Sequence, residues 1–164
     1  MRNIDIIRSK VLGPAELKSQ LAVWRFKKKR IVFTNGCFDI LHLGHIDYLA
    51  RAADLGDVLM VGLNSDRSVS SIKGQHRPFI DQESRAMTLA SLHFVNAVVL
   101  FDEDTPERLI GEVLPDVLVK GGDYSKEEIA GYDTVIKNDG EVIILDLVPG
   151  YSTSGIEKKI RSIL

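Results

Sequence analysis

Apolar residues along this chain follow two alternating rhythms. Short runs rich in Val, Ile and Leu recur over residues 30–34, 58–63, 97–101, 117–120 and 142–145. Such runs are the mark of strands buried on both faces. Between them the spacing turns helical: over 45–55, ending at Gly56 as a natural C-cap; over 84–92, with Met87 and Leu89; over 106–113, with Thr105 as N-cap and Pro106 as first residue; over a shorter 125–130; and over about 155–163, with Ile156 and Ile160 on one face. Ahead of the first strand, Gly13-Pro14 opens another helix on which Leu17, Leu21 and Trp24 recur.

Strands alternating with helices predict right-handed βαβ units and an α/β fold, a doubly wound sheet of five parallel strands in a single domain. Residues 1–29 read as a helical extension packed on the core formed by 30–164. Residues 68–81 hold Ser70-Ser71, Lys73-Gly74 and Arg77-Pro78 and read as a loop, long enough to serve an active site. No repeat, low-complexity tract or linker divides the chain.

Composition narrows the function. The 164 residues carry a formal net charge of −2, with 45% hydrophobic and 27% charged residues, the balance of a globular domain. Nothing in it favours a nucleic-acid or membrane partner. The basic block Lys27-Lys28-Lys29-Arg30 reads as a solvated helix end. Cys37 is the single cysteine, so no intrachain disulfide forms, and it reads as a small residue in a tight turn. The N-terminus has no signal-peptide h-region and no apolar run is long enough to span a bilayer, so a cytoplasmic location is expected.

The chemistry concentrates where the first strand ends. Asn35-Gly36 breaks the run, and a helical pattern starts near Gly44, so His42 and His45 sit three residues apart at a strand-to-helix turn. In α/β proteins that is where ligands lie, outside the carboxyl end of a strand and against a helix N-terminus whose N–H groups attract phosphate. Two imidazoles there can donate hydrogen bonds to the oxygens of a phosphoryl group in transfer, and Gly44 lets a phosphate approach the backbone. A zinc pair lacks a third ligand nearby, so no metal site is expected.

Other candidates follow. Lys73 and Arg77 in the polar segment, and Arg85 at the next helix start, are cations able to cover phosphates; for Arg77 the choice between that role and loop solubility is open. Lys120-Gly121-Gly122-Asp123 follows the fourth strand, where paired glycines let the backbone approach a base or ribose and Asp123 can accept from a hydroxyl. Ser152-Thr153-Ser154 precedes the last helix and combines a capping box, Ser154 with Glu157, with an anion site. His93 reads as structural and His76 as loop-exposed.

The His42-Leu43-Gly44-His45 element after Gly36-Cys37-Phe38-Asp39, with the late Ser152-Thr153-Ser154, resembles the HxGH nucleotidyltransferase superfamily. Asn64-Ser65-Asp66, Lys73-Gly74 with Arg77-Pro78, Glu103-Asp104-Thr105-Pro106 and Leu118-Val119-Lys120-Gly121-Gly122-Asp123-Tyr124 narrow the likeness to the adenylyltransferase domains of bifunctional heptose biosynthesis proteins. The resemblance runs from about Arg30 to Ile160. It implies a Rossmann-like fold and transfer of AMP from ATP to D-glycero-D-manno-heptose 1-phosphate, giving ADP-heptose and pyrophosphate. It implies His42, His45 and Lys73 as the catalytic set. Arg85 and Ser152–Ser154 would hold the β and γ phosphates. Gly36, Cys37, the Phe38 backbone, Gly44 and the Gly121-Gly122-Asp123 loop would line the nucleotide site, with Mg²⁺ on the triphosphate through largely water ligands.

It also implies a homodimer and a separate heptose kinase supplying the sugar phosphate, since the bifunctional proteins carry that kinase as a domain of their own. One departure stands out. Cytidylyltransferases of the superfamily carry Arg-Thr-x-Gly before the serine-threonine element, and here that place reads Leu147-Val148-Pro149-Gly150-Tyr151. A glycerol-3-phosphate cytidylyltransferase, an adenylyltransferase for another sugar 1-phosphate and a non-catalytic nucleotide-binding module remain as alternatives. A hydride-transferring dinucleotide enzyme would need Gly-x-Gly-x-x-Gly, which Asn35–His42 does not supply.

Overall fold

Five apolar runs become five parallel strands: β1 Ile31–Gly36, β2 Val58–Asn64, β3 Ala97–Phe101, β4 Val117–Gly121 and β5 Glu141–Leu145, ordered β3-β2-β1-β4-β5. This is a computed structural model, and it describes residues 2–122 and 125–163. The helices are α1 Asn3–Arg8, α2 Pro14–Phe26, α3 Leu43–Ala53, α4 Asp66–Lys73, α5 Gln82–Ser91, α6 Glu107–Val113, α7 Tyr132–Lys137 and α8 Thr153–Arg161. The predicted doubly wound α/β sheet is therefore present, with each strand within two residues of its expected ends.

Alternation along the strands builds two cores. Ile31, Phe33, Val58, Met60, Val99 and Leu118 join Leu17, Leu21 and Trp24 of α2 with α6 and α7 on one face. Val32, Leu59, Val61, Leu63, Val98 and Val119 join α3 and α5 on the other. Burying each large side chain contributes about 1.5–3 kcal/mol. The N-terminal segment also shields the sheet edge, because Val98 N–H donates to Lys10 O at 2.8 Å and Leu12 N–H to Val98 O at 2.9 Å.

Some elements differ from expectation. Residues 68–81 are not all loop. Ser65 caps α4 by accepting from Ser68 N–H at 3.2 Å, and Val69 is fully buried; only the stretch after Gly74 is irregular. Residues 125–130 hold just a 3₁₀ turn, Lys126–Glu128, and the regular helix follows at α7 after the left-handed Gly131 (φ +91°). Pro106 is the cap of α6 rather than its first residue. The short α1 was not foreseen.

The sheet's reversal point positions the site. β1 pairs β2 over six positions, from Ile31 with Val58 to Gly36 with Leu63. It pairs β4 at only two, Val32 with Val117 and Phe33 with Leu118. Past Phe33 the strands splay. The helices after β1 and β4 pack on opposite faces, and a crevice opens at this switch point.

Candidate active site

The crevice is a cleft of about 350 Å³ at the carboxyl ends of β1 and β4. Lys120 Nζ spans its floor and donates to Asn35 Oδ1 at 2.8 Å. Beyond β1 the chain turns through Phe38, which adopts a left-handed conformation (φ 44°) rare for a bulky residue. Its ring packs edge-on against His45, with centroids 5.3 Å apart. A Cβ on Gly36 would lie 3.0 Å from that ring, which explains a glycine there.

His42 is the N-cap of α3, yet its side chain makes no capping bond. The first N–H groups to bond back are those of His45 and Ile46, both onto His42 O at 2.9 and 3.2 Å. The N–H groups of Leu43 and Gly44 are left outside the ladder at the cleft wall. A Cβ on Gly44 would stand 3.2 Å from both the His42 ring and Tyr151 Cβ, so glycine lets these residues meet.

The two imidazoles stack, with centroids 3.8 Å apart and planes 20° from parallel. Both Nδ1 atoms are buried without a partner. Burial, then the neighbouring His42, then Lys73 push the His45 pKa down to about 4, against a backbone hydrogen bond with Ile40 that raises it. Burial also lowers that of His42. At neutral pH the pair is uncharged, and its unpartnered nitrogens fit a ligand that brings hydrogen-bonding atoms.

Lys73, at the last turn of α4, lines the cleft with Lys120. Desolvation lowers the pKa of Lys120. Tyr48, buried behind them, bonds Thr34 Oγ1 at 2.6 Å and donates to Val119 O at 3.1 Å. Desolvation holds its phenol at about 12. Leu147, Val148 and Tyr151 form an apolar wall leading to Ser152, Thr153 and Ser154 at the start of α8.

The α8 cap is Ser152, whose hydroxyl accepts from Gly155 N–H at 3.0 Å. The expected Ser154–Glu157 capping box is absent, because Glu157 turns to Arg77 and Arg161. Among the described residues, six of the eight α-helices carry an acid in the first turn: α1, α2, α4, α5, α6 and α7. The exceptions are α3 and α8, the two whose starts line this cleft. Their positive dipole ends are thus uncompensated.

The structure brings together Gly36, Cys37, Phe38, His42, Gly44, His45, Lys73, Gly121 and Ser152–Ser154. It does not bring Arg85. That side chain is fully buried and donates to Ile80 O (2.9 Å), Cys37 O (2.6 Å), Asn64 O (2.9 Å) and Asp66 Oδ1 (2.7 Å). It holds the β1 and β2 ends in place and has no nitrogen free for a phosphate. Gly122 (φ +113°) bonds Leu145 O and lies outside the cleft lining. Asp123 falls outside the described residues.

Asp39 went unassigned in the sequence because its partners are distant. Its carboxylate accepts from Phe79 N–H at 2.8 Å, Ile80 N–H at 3.1 Å and Arg77 Nη1 at 2.8 Å. It is the sole described carboxylate lining the cleft, and it is fully engaged. No group of three His, Cys, Asp or Glu able to hold a metal exists among the described residues. The helices hold no segment long and apolar enough to cross a membrane, among the described residues.

Fold and cleft together define a Rossmann-like α/β domain with its ligand crevice at the switch point of the sheet. The chain belongs to the cytidylyltransferase-like family, whose model matches residues 33–161. It is 54% identical over 151 residues to the bifunctional protein HldE of Aeromonas hydrophila, covering 92% of this chain and 32% of that one. Against the Campylobacter concisus bifunctional protein HldE it is 58% identical over 134 residues, covering 82% and 28%. The chain spans about a third of the length of the curated relatives it matches. Among solved structures, a lipopolysaccharide core biosynthesis protein of Thermoplasma volcanium superposes with a TM-score of 0.59 at 30% identity, over 73% of this chain and 97% of that one. A pantoate-beta-alanine ligase of Francisella tularensis gives 0.61 at 14% identity, over 92% and 76%, and shares the fold.

Proposed function

We propose that this chain transfers AMP from ATP to D-glycero-D-manno-heptose 1-phosphate, releasing pyrophosphate and ADP-heptose. One observation carries the nucleotidyl-transfer reading. Two buried, unpartnered imidazole nitrogens lie between two helix starts free of acidic residues, an environment built for phosphate oxygens. The sugar assignment rests on about 50% identity to the bifunctional HldE proteins and on the Lys120–Tyr124 and Asp104–Pro106 motifs.

In this reading a phosphate oxygen of the acceptor attacks the α-phosphorus in line. The bond from that phosphorus to the bridging oxygen breaks, and pyrophosphate leaves with its electron pair. No covalent enzyme intermediate forms, so positioning and charge neutralisation carry the rate. His42 and His45 donate N–H groups to the reacting phosphate. As negative oxygens approach, they raise the imidazoles' affinity for a proton, so positive charge grows where the transition state needs it. Lys73 adds a fixed cation. The α8 start takes the β and γ phosphates, and the Phe38 backbone and Gly121 border ribose and base. Mg²⁺, if bound with the nucleotide, would neutralise charge on the triphosphate. A sugar kinase activity supplies the acceptor, and the enzyme works in the cytoplasm as a homodimer.

The test is pyrophosphate release with Mg²⁺, the heptose 1-phosphate and, in turn, ATP, CTP, GTP and UTP. Release with ATP that depends on the sugar supports the assignment. Preference for CTP would move the protein to the cytidylyltransferase branch with the same site. Silence with all four overturns the reading.

A further inference from the structure

Helix α8 supplies the Ser152–Ser154 end of the cleft, yet it has no buried residue. Ile160 is 51% exposed, and an apolar groove of about 310 Å³ lined by Ile40, Phe79 and Ile160 separates it from its neighbours. Hydrophobic packing therefore does not fix its position. The polar connection does. Arg77, its side chain 12% exposed, joins Asp39 through Nη1 at 2.8 Å and Glu157 of α8 through Nη2 at 2.5 Å. Its guanidinium lies 4.1 Å above the Phe79 ring. Asp39 in turn fixes the same loop through Phe79 and Ile80 N–H and stands three residues before His42. One carboxylate–guanidinium–carboxylate chain thus ties together the histidine turn, the loop after α4 and the helix whose start closes the cleft.

We propose that Arg77 is a positioning residue that tethers α8 to the histidine turn and so sets the affinity of the cleft for the nucleotide's phosphates. The second half of that statement rests on the proposed function. The tether itself does not. A guanidinium held between two carboxylates and a ring is planar and loses little entropy per bond, so it fixes an angle as well as a distance. Because α8 carries neither imidazole and in the proposed function takes the β and γ phosphates, loosening it should weaken binding more than it slows the step at phosphorus.

The experiment compares wild type, Glu157→Gln and Arg77→Lys by hydrogen exchange and by ATP kinetics. Glu157 is partly exposed, so its variant is expected to fold. Exchange across residues 153–161 should quicken in Glu157→Gln while that of α3 stays unchanged. The KM for ATP should rise about tenfold, with kcat at saturation within about threefold, and Arg77→Lys should fall between. Unchanged α8 exchange in both variants overturns the tether. Faster exchange with unchanged KM, or a fall in kcat alone, overturns its role in nucleotide affinity. A wild-type protein that neither binds nor turns over ATP sinks the functional reading instead, and the exchange comparison still decides the tether.

Discussion

His45 lies face to face with His42, ring centres 3.8 Å apart, and neither Nδ1 has a partner. Two neutral imidazoles tolerate this contact; two imidazolium ions would repel. The pair is thus uncharged when free, and in the proposed reaction it would gain protons as anionic oxygens arrive.

His45→Ala should lower kcat by about 10²- to 10³-fold, the cost of losing a positioned donor. ATP affinity should change by no more than about threefold, and unfolding should stay cooperative, because the buried Nδ1 leaves no partner stranded when it is removed. Steady-state kinetics with calorimetric ATP titration checks this. Near wild-type turnover would remove the imidazole from the chemistry.

The same burial makes stability depend on pH. His45 titrates near 4 in the fold and near 6.5 when unfolded. Between those values the unfolded chain binds a proton that the native state refuses, so stability is lost as pH falls from about 6.5 toward 4. The carboxylates with lowered values, such as Asp57 and Glu157, act at the acid end of that range and below. A His42→Asn/His45→Asn double variant should show a flatter fall in Tm between pH 6.5 and 5. Parallel curves for the two proteins would refute the assignment.

Arg85→Lys should destabilise strongly. A lysine cannot reproduce a fork that serves Ile80 O, Cys37 O, Asn64 O and Asp66 at once. Leaving a buried carbonyl unpaired costs about 1–3 kcal/mol, readable by urea denaturation. A stable variant with weakened ATP binding would restore Arg85 as a phosphate ligand.

Gly111→Ala should stabilise. Gly111 sits inside α6, and a Cβ there meets no atom within 4 Å. Alanine removes unfolded-state freedom and raises helix propensity, worth about 0.5–1 kcal/mol, with unchanged turnover. A lower Tm would mean that α6 contacts something else at this position.

The sheet was legible because each strand is a compact apolar run between turn residues, and the histidine turn because its two imidazoles fall at the end of one. Helix α4 was not: Asp66–Lys73 places one fully buried apolar residue, Val69, among serines and charges, so its helicity comes from the Ser65 cap and tertiary contact. Helix α7 hides behind a left-handed glycine. Arg85 could be seen as a cation near the cleft, but its partners are chiefly main-chain carbonyls, which every residue has and no motif encodes. Asp39 and Arg77 are 38 positions apart, and only the folded loop makes them a pair.

The brief seam between β1 and β4 also bears on how the molecule is assembled in time. Ile31 meets Val58 after a short excursion, whereas Val32 must wait for Val117. Closing the longer loop costs about 1 kcal/mol more in chain entropy, and only two register pairs reward it. The seam is therefore the part of the sheet that chain entropy opposes most and pairing rewards least. The cleft lies along that seam, so the molecule places its opening for a ligand where its own strands hold each other least.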